Sequence, residues 1–276
     1  MGYYIEVERG VKIYLEEAGS GRPVLFIHGW PVNHKMYEYQ FNVLPKHGYR
    51  CIGLDLRGFG RSDAPWSGYE YNRMADDIRV IADTLKLENS TLIGFSMGGA
   101  IAIRYMARHA GHRMCSLILA AAAAPLFTRR SDYPYGMSTE EVDAIIAAAY
   151  TDRPQMLRDF GANFFGAPVS EAFMNWFHQL GVDASSYGTI KSAESLRDED
   201  LRADLAHIQV PTTILHGKLD KICPFAFAEV QHRGIRESRL VPFEYSGHGL
   251  FHDELQKFNY ETLLALKQSS TRPRFQ

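Results

Sequence analysis

The segment TLIGFSMGG, from Thr91 to Gly99, gives the strongest indication of the fold. Its first residues are apolar and indicate a buried strand, and a helical pattern follows directly after the glycines. Between strand and helix stands the motif G-x-S-x-G with Ser96 at its centre, which is typical of a sharp turn that exposes a nucleophilic serine. Gly94 and Gly98 supply the small residues that such a turn needs where strand and helix nearly touch. Ser96 is therefore predicted to be a nucleophile, and not an inert serine in a glycine-rich turn.

Short apolar runs alternate with helical patterns along most of the chain. The runs lack a polar face, as expected for parallel strands that are covered on both sides. They lie at residues 23–27, 51–54, 91–93, 115–120 and 212–215. Residues 3–16 are predicted to form an opening hairpin. This alternation predicts an α/β fold with a mostly parallel central sheet flanked by helices.

The alternation stops after Ala124. Residues 125–206 contain helical patterns but no strand, which predicts an inserted helical lid. The helices are expected to start near four residues, Thr139, Pro154, Ser170 and Leu196. The remaining residues, 1–124 and 207–276, are then expected to form one core domain.

Composition limits the partners and the location of the protein. The 276 residues are 46% hydrophobic and 22% charged, with a net charge of -2, so no basic surface for nucleic acid is expected. The apolar runs are far shorter than the roughly 20 residues of a membrane span, and the first residues do not resemble a signal peptide. The three cysteines are widely spaced, which predicts reduced thiols. We expect a cytoplasmic protein that binds neither nucleic acid nor membrane.

A serine nucleophile needs a base, and the base needs an acid that orients it. With this type of turn, the acid and then the histidine follow the serine on loops at strand ends. Asp220 lies in the loop after the strand at 212–215, whereas the preceding strand is followed by alanines without a carboxylate. His248 comes shortly after the strand at 239–243 and stands between two glycines, which predicts a side chain free to swing. The predicted triad is Ser96, Asp220 and His248.

Two backbone N–H groups are expected to stabilise the oxyanion that forms when the serine attacks a carbonyl carbon. One belongs to Met97 at the start of the helix, and the other to Trp30 in the loop after the first parallel strand. Pro31 restricts Trp30 to extended backbone angles, which fixes this donor. His28 in the same loop is interpreted as a structural residue. We find no metal-ligand motif, and the glycines at 58 and 60 lack the third glycine of a dinucleotide loop, so neither metal nor cofactor is expected.

Motifs longer than the turn identify a family. They are PVLFIHGWP at 23–31, DLRGFGRSDAPW at 55–66, LIGFSMGGA at 92–100 and HGKLDKICPF at 216–225. These stretches resemble the arylesterase and cofactor-free haloperoxidase (perhydrolase) branch of the α/β-hydrolases, and the likeness is weakest over residues 138–204. The resemblance implies the α/β-hydrolase fold and a carboxylesterase for small acyl or aryl esters. It also implies formation of peracids from carboxylic acids and hydrogen peroxide, without haem or metal.

The resemblance further implies a substrate pocket lined by aromatic residues. The matching positions are Trp30, Phe127 and Phe225, together with Phe164 in the weakly matched lid. In this branch, a proline directly after the oxyanion tryptophan is associated with better perhydrolysis, as at Pro31. The implied partner is a small-molecule ester, and self-association into a homo-oligomer is left open.

Other functions of the same fold stay open. Dehalogenases and epoxide hydrolases need a carboxylate nucleophile, and Ser96 argues against both. Carbon–carbon bond hydrolases usually have asparagine before the nucleophile, where this chain has Phe95. A lactamase or amidase fits the same residues. A non-catalytic small-molecule receptor would keep the triad but turn over substrate very slowly.

Overall fold

The computed structural model describes residues 2–268, so residue 1 and residues 269–276 of the predicted core domain lie outside the described range. Within it, eight strands form one sheet in the order β1-β2-β4-β3-β5-β6-β7-β8. Their bounds are β1 Gly2–Glu8, β2 Val11–Ala18, β3 Arg22–Ile27, β4 Tyr49–Leu54, β5 Ser90–Phe95, β6 Met114–Ala120, β7 Thr212–Gly217 and β8 Ser238–Phe243.

The sheet is mostly parallel. All neighbouring strands from β4 to β8 in this order run parallel, while β2 is antiparallel to both β1 and β4. The predicted opening hairpin is therefore present, with Tyr4 opposite Tyr14. Every residue of β5 and β7 is buried, which explains why these segments show no polar face in the sequence.

Helices flank the sheet, as the alternating sequence pattern predicts. Their bounds are α1 Glu38–Phe41, α2 Tyr71–Thr84, α3 Met97–Arg108, α4 Thr139–Gly161, α5 Glu171–Val182, α6 Ser186–Asp198, α7 Ala226–Gly234, α8 Leu250–Asp253 and α9 Leu255–Gln268. In α2, the buried residues Met74, Ile78 and Ile81 recur at helical spacing and form its apolar face. The expected α/β class with a mostly parallel sheet is confirmed.

Helices α4, α5 and α6 lie between β6 and β7 in the chain, within the predicted lid. Helix α4 begins with a capping box, in which Ser138 Oγ accepts from Glu141 N and the Glu141 carboxylate accepts from Ser138 N. The separate helix predicted at Pro154 is instead the second half of α4. A kink at Asp152, where φ is -146° and ψ is 77°, marks the place where this second half starts.

The prediction that a helix starts at Leu196 is wrong. Helix α6 begins earlier, at Ser186, and residues 199–203 are not helical. A short 3-10 turn follows at Asp204–His207. Leu196 and Leu205 are buried on either side of this break, which makes the apolar pattern look continuous across a loop.

Three further features concern the whole described range. No helix of residues 2–268 has both the length and the apolar character needed to cross a bilayer. The three cysteines, Cys51, Cys115 and Cys223, all lie in this range and form no disulfide bond with one another. In the same range, no group of three or more His, Cys, Asp or Glu side chains is arranged to hold a metal ion.

Candidate active site

Ser96 occupies the turn between β5 and α3. Its backbone has φ 53° and ψ -120°, a conformation that costs a non-glycine residue free energy and persists because the surroundings enforce it. A Cβ on Gly94 would lie 2.7 Å from Gly99 Cα, and one on Gly98 would overlap backbone carbonyls at the end of β3. The two glycines of the motif are therefore required by close packing, as the sequence predicts.

Backbone hydrogen bonds hold this turn in place. Ser96 N donates to Ala120 O at 3.0 Å, and Ser96 O accepts from Gly99 N and from Ala123 N, both at 2.9 Å. Met97 is the first residue of α3, so its N–H belongs to the first turn and has no acceptor within the helix. The helix N-terminus favours negative charge, which suits the predicted role of Met97 N as an oxyanion donor.

Asp220 and His248 form a buried pair. Asp220 Oδ2 lies 2.8 Å from His248 Nδ1, and neither side chain is exposed. The other oxygen, Oδ1, accepts from Ile222 N at 2.9 Å and from Cys223 N at 2.8 Å. Burial alone would raise the pKa of Asp220, but the imidazoles of His248 and His216 outweigh burial and hold this pKa well below its usual range. The carboxylate is thus charged and firmly placed to orient the imidazole.

The second ring nitrogen of His248, Nε2, is buried and has no hydrogen-bond partner within residues 2–268. The ring of Phe95, the residue before Ser96, packs on the imidazole with 4.8 Å between centroids, so the imidazole lies beside the turn. Because Asp220 holds Nδ1, the nitrogen left to take up a proton is Nε2.

The glycines on both sides of His248 serve close packing. A Cβ on Gly247 would lie 2.7 Å from Gly166 N, and one on Gly249 would overlap the ring of Phe165. Gly166 and Phe165 both belong to residues 125–206, the predicted lid, which is called the lid below. The expectation that the glycines leave His248 free to swing is therefore wrong, because the lid is packed directly against this loop.

The loop after β3 brings Trp30 to the same place. A Cβ on Gly29 would lie 2.8 Å from Ser96 Cβ, so the backbone of the next residue, Trp30, is close to the serine. The Trp30 ring is buried, donates from Nε1 to Thr189 O at 2.9 Å, and packs edge-to-face on Phe160 at 4.9 Å between centroids. Since the lid anchors the indole, the backbone N–H is the group of Trp30 available to an oxyanion, and this role stays a prediction.

His28 in the same loop is structural. Leu56 N donates to His28 Nε2 at 2.9 Å, and His28 Nδ1 lies 2.8 Å from Gly29 O, to which it donates. Burial lowers the pKa of His28 to about 4, so the ring is neutral near neutral pH. Both nitrogens are occupied by backbone groups, which leaves neither for proton transfer.

The four aromatic residues expected in the pocket have different surroundings. The Phe164 ring packs against the His248 ring with 4.8 Å between centroids, so it lies directly beside the predicted base. The Phe225 ring lies under Lys218 Nζ, 3.6 Å from the ring centroid, and Phe127 is buried. Substrate binding by Trp30, Phe127, Phe164 and Phe225 stays a prediction, and the geometry favours Phe164 and Trp30.

Two cavities border the site on the lid side. A groove of about 640 Å³ lies between the lid and the loop after Asp220, with Lys221 and Phe160 in its wall. A small apolar slot of about 60 Å³ is lined by Pro31, Phe160 and Phe164. Phe160 is a candidate that sequence reasoning missed. It lies four residues before Phe164, next to the end of α4, and this short distance in sequence from a predicted pocket residue is the signal that could have identified it.

Cys223 is a second residue near the site that sequence reasoning missed, because the spacing of the cysteines predicts only reduced thiols. Its side chain is fully buried and lies near the hydroxyl of Ser96. Burial raises the pKa of Cys223 well above its usual value, so it remains a thiol. Its place three residues after Asp220, on the loop that carries the acid, is the signal that sequence reasoning could have used.

A parallel sheet, a serine on a strained strand-to-helix turn, and a buried Asp–His pair on two later loops together define the α/β-hydrolase class. A family model described as the alpha/beta hydrolase fold matches residues 22–182. The chain therefore belongs to the α/β-hydrolase fold family. This finding confirms the α/β-hydrolase fold expected from the sequence.

Individual relatives indicate which branch of this family the chain resembles. The chain is 57% identical over 259 residues to an AB hydrolase superfamily protein, YisY, of Bacillus subtilis (strain 168), with 94% of this chain and 97% of that one covered. It is 31% identical over 267 residues to the non-heme chloroperoxidase CPO-A1 of Kitasatospora aureofaciens, with coverage of 92% and 95%. The solved structure of the esterase EaEST from Exiguobacterium antarcticum is 54% identical, with a TM-score of 0.95 and coverage of 97% and 100%. The expected likeness to the esterase and haloperoxidase branch is confirmed, and the chain is a hydrolase of this fold.

Proposed function

We propose that the protein is a serine carboxylesterase that cleaves small esters through an acyl-serine intermediate. The main support is the arrangement of Ser96 on its strained turn beside a buried His248, whose Nδ1 is held 2.8 Å from Asp220. These residues supply a nucleophile, a base and an orienting acid. The names of two relatives, an esterase and a non-heme chloroperoxidase, agree with this chemistry.

In the proposed reaction, His248 Nε2 takes the hydroxyl proton as Ser96 Oγ attacks the ester carbonyl carbon. The N–H groups of Trp30 and Met97 stabilise the resulting oxyanion, which is commonly the largest single contribution to such catalysis. His248 then gives the proton to the leaving alcohol, and the acyl group stays on Ser96. Water, deprotonated by His248, attacks the acyl-enzyme and releases the acid. Asp220 stabilises the imidazolium in both steps.

Peracid formation follows from the same intermediate. Hydrogen peroxide in place of water attacks the acyl carbonyl, its proton passes through His248 to Ser96 Oγ, and the peracid leaves. The peroxide acts as a nucleophile, so the step needs no electron transfer. We therefore include perhydrolysis of small carboxylic acids in the proposed function, with Pro31 beside the oxyanion donor as the family feature that favours it.

The surroundings of the site favour small substrates. The ring of Phe164 lies against the imidazole, and Trp30 and Phe160 pack against each other above the loop after β3. The groove of about 640 Å³ borders the loop that carries Asp220 and is the route by which we propose that substrate enters. A short acyl chain with an aryl or alkyl alcohol suits these dimensions.

The proposal is tested with purified protein in two assays. Hydrolysis of p-nitrophenyl acetate is followed by release of p-nitrophenolate, and peracetic acid is measured after mixing acetate with hydrogen peroxide. We expect activity in both, and loss of both after treatment with a sulfonyl fluoride that blocks serine nucleophiles. Hydrolysis of p-nitrophenyl acetate without formation of peracetic acid would refute only the proposed perhydrolase activity. Absence of ester hydrolysis, with tight binding of a small ligand, would favour the receptor instead.

A further inference from the structure

The lid holds the loop of the predicted base from one side. This histidine loop, residues 244–249, receives a backbone contact in which Gly249 N donates to Phe164 O at 2.7 Å. The ring of Phe164 also packs nearly perpendicular to the His248 ring, at 80° and 4.8 Å between centroids. One lid residue therefore binds the loop through its carbonyl and confines the imidazole through its ring.

Asp253 joins the other side of the loop to the same segment of the lid. Its Oδ2 accepts from Gly247 N at 2.8 Å and from Gly166 N at 2.7 Å, while Oδ1 accepts from Ala167 N at 3.3 Å. One carboxylate oxygen thus bridges a residue next to His248 and a residue of the lid. Hydrogen bonds to an ionised carboxylate are roughly twice as strong as those between neutral groups.

Within residues 2–268, the neighbouring carboxylate, that of Glu254, makes hydrogen bonds with the histidine loop only. Glu254 accepts from Tyr245 N at 3.1 Å and from the hydroxyl of Ser246 at 2.7 Å. Both donors belong to the histidine loop. Glu254, which lies between α8 and α9, therefore holds this loop against the helices that follow it in the chain. Asp253 instead fastens the loop to the lid.

Packing at this contact leaves little freedom for independent motion. A Cβ on Gly166 would overlap Gly247 N, which shows how closely the two backbones approach. In α8, next to Asp253, the ring of His252 stacks on the lid residue Phe173 with 3.9 Å between centroids. The histidine loop and the lid therefore form one packed unit, with Asp253 as its charged link.

We propose that Asp253 is a positioning residue for His248, which keeps the imidazole aligned with Ser96 by tying the histidine loop to the seated lid. The inference rests on the proposed esterase function. If the inference is right, the alignment of His248 depends on the position of the lid. Displacement of the lid would then misalign the base and lower the catalytic rate.

The test compares Asp253→Ala and Asp253→Asn with the wild type in hydrolysis of p-nitrophenyl acetate, with rates divided by the concentration of active sites titrated by a fluorophosphonate. Asp253→Ala leaves Gly247 N and Gly166 N without their shared acceptor, and we expect kcat to fall about 10- to 100-fold with KM within about twofold. Asp253→Asn keeps one carbonyl oxygen for these donors and should regain most of the loss. The matched control is Asp63→Ala, because Asp63 also accepts a backbone N–H, from Lys12 at 2.8 Å, and we expect its kcat to be unchanged.

A second readout does not depend on turnover. The Nδ1 proton of His248, held by Asp220, should give a low-field NMR resonance that His248→Gln abolishes. We expect Asp253→Ala to shift this resonance or to speed its exchange with water, and Asp63→Ala to leave it in place. An unchanged resonance in Asp253→Ala would overturn the inference, as would a reduced active-site titre with a normal kcat. If the wild type lacks Ser96-dependent esterase activity, the proposed function fails, and the resonance alone decides the role of Asp253.

Discussion

Asp220 Oδ2 lies 2.8 Å from His248 Nδ1, and both side chains are fully shielded from solvent. An amide in place of the carboxylate removes the negative charge that stabilises the imidazolium and favours the wrong tautomer. We expect Asp220→Asn to lower kcat for p-nitrophenyl acetate roughly 10³- to 10⁴-fold while circular dichroism shows a folded protein. The control is Asp200→Asn, which makes the same change at an exposed carboxylate outside the site. A loss of less than tenfold in Asp220→Asn would remove Asp220 from the triad.

Two lid glycines provide a matched pair for the contact between lid and histidine loop. A Cβ on Gly166 would overlap Gly247 N, whereas a Cβ on Gly161 would have no atom within 4 Å. We expect Gly166→Ala to reduce the free energy of unfolding by about 1–3 kcal/mol and to lower kcat, because lid and loop must separate. Gly161→Ala should be neutral or slightly stabilising. Urea unfolding and ester hydrolysis measure both effects, and equal behaviour of the two variants would contradict the tight contact.

The buried His28 predicts a pH dependence of stability. Burial lowers the pKa of His28 to about 4 in the folded protein, whereas an unfolded histidine titrates near 6.5. Between these values the unfolded chain binds a proton that the folded protein does not, so stability falls as the pH decreases from 7 to 4. The contribution of this one group is about 3 kcal/mol at most.

The variants His28→Gln and His207→Gln isolate this effect. We expect His28→Gln to be less stable at pH 7, because Leu56 N and Gly29 O lose their partner, but to lose less stability on acidification. His207 is exposed, and its replacement should keep the wild-type pH dependence. Urea unfolding at several pH values gives the comparison, and parallel curves for wild type and His28→Gln would refute the assignment.

The core of the fold and the predicted triad follow from local sequence patterns. Ser96, Asp220 and His248 each stand on a loop shortly after a parallel strand, and the sheet brings such loops together at one edge. The parallel strands can be recognised in the sequence because they are buried on both faces and hence form continuous apolar runs. Positions that depend only on these patterns could be predicted without knowing how the lid docks.

The lid and its contacts could not be predicted in the same way. Helical periodicity indicates which face of a helix is buried, but not which partner covers it, so Asp253 carries no local signal of the lid residues that it contacts. The glycines that flank His248 predict a mobile loop, but in the structure Gly247 and Gly249 are required because Gly166 and Phe165 approach closely. A glycine in a sequence signals unusual backbone freedom or close approach, and the approaching group becomes visible only in three dimensions.

The most direct test of the central claim is a rapid-mixing experiment with p-nitrophenyl acetate on wild type and Ser96→Ala, followed by peptide mass analysis of acid-quenched samples. We expect an acetyl group on the wild-type peptide that contains Ser96, and a loss of roughly four to six orders of magnitude in hydrolysis for Ser96→Ala. Ser195→Ala, a lid serine whose hydroxyl donates to Tyr69 O at 2.9 Å, should keep wild-type activity. Hydrolysis that survives in Ser96→Ala, or an acetyl group found on another residue, would show that Ser96 is not the nucleophile.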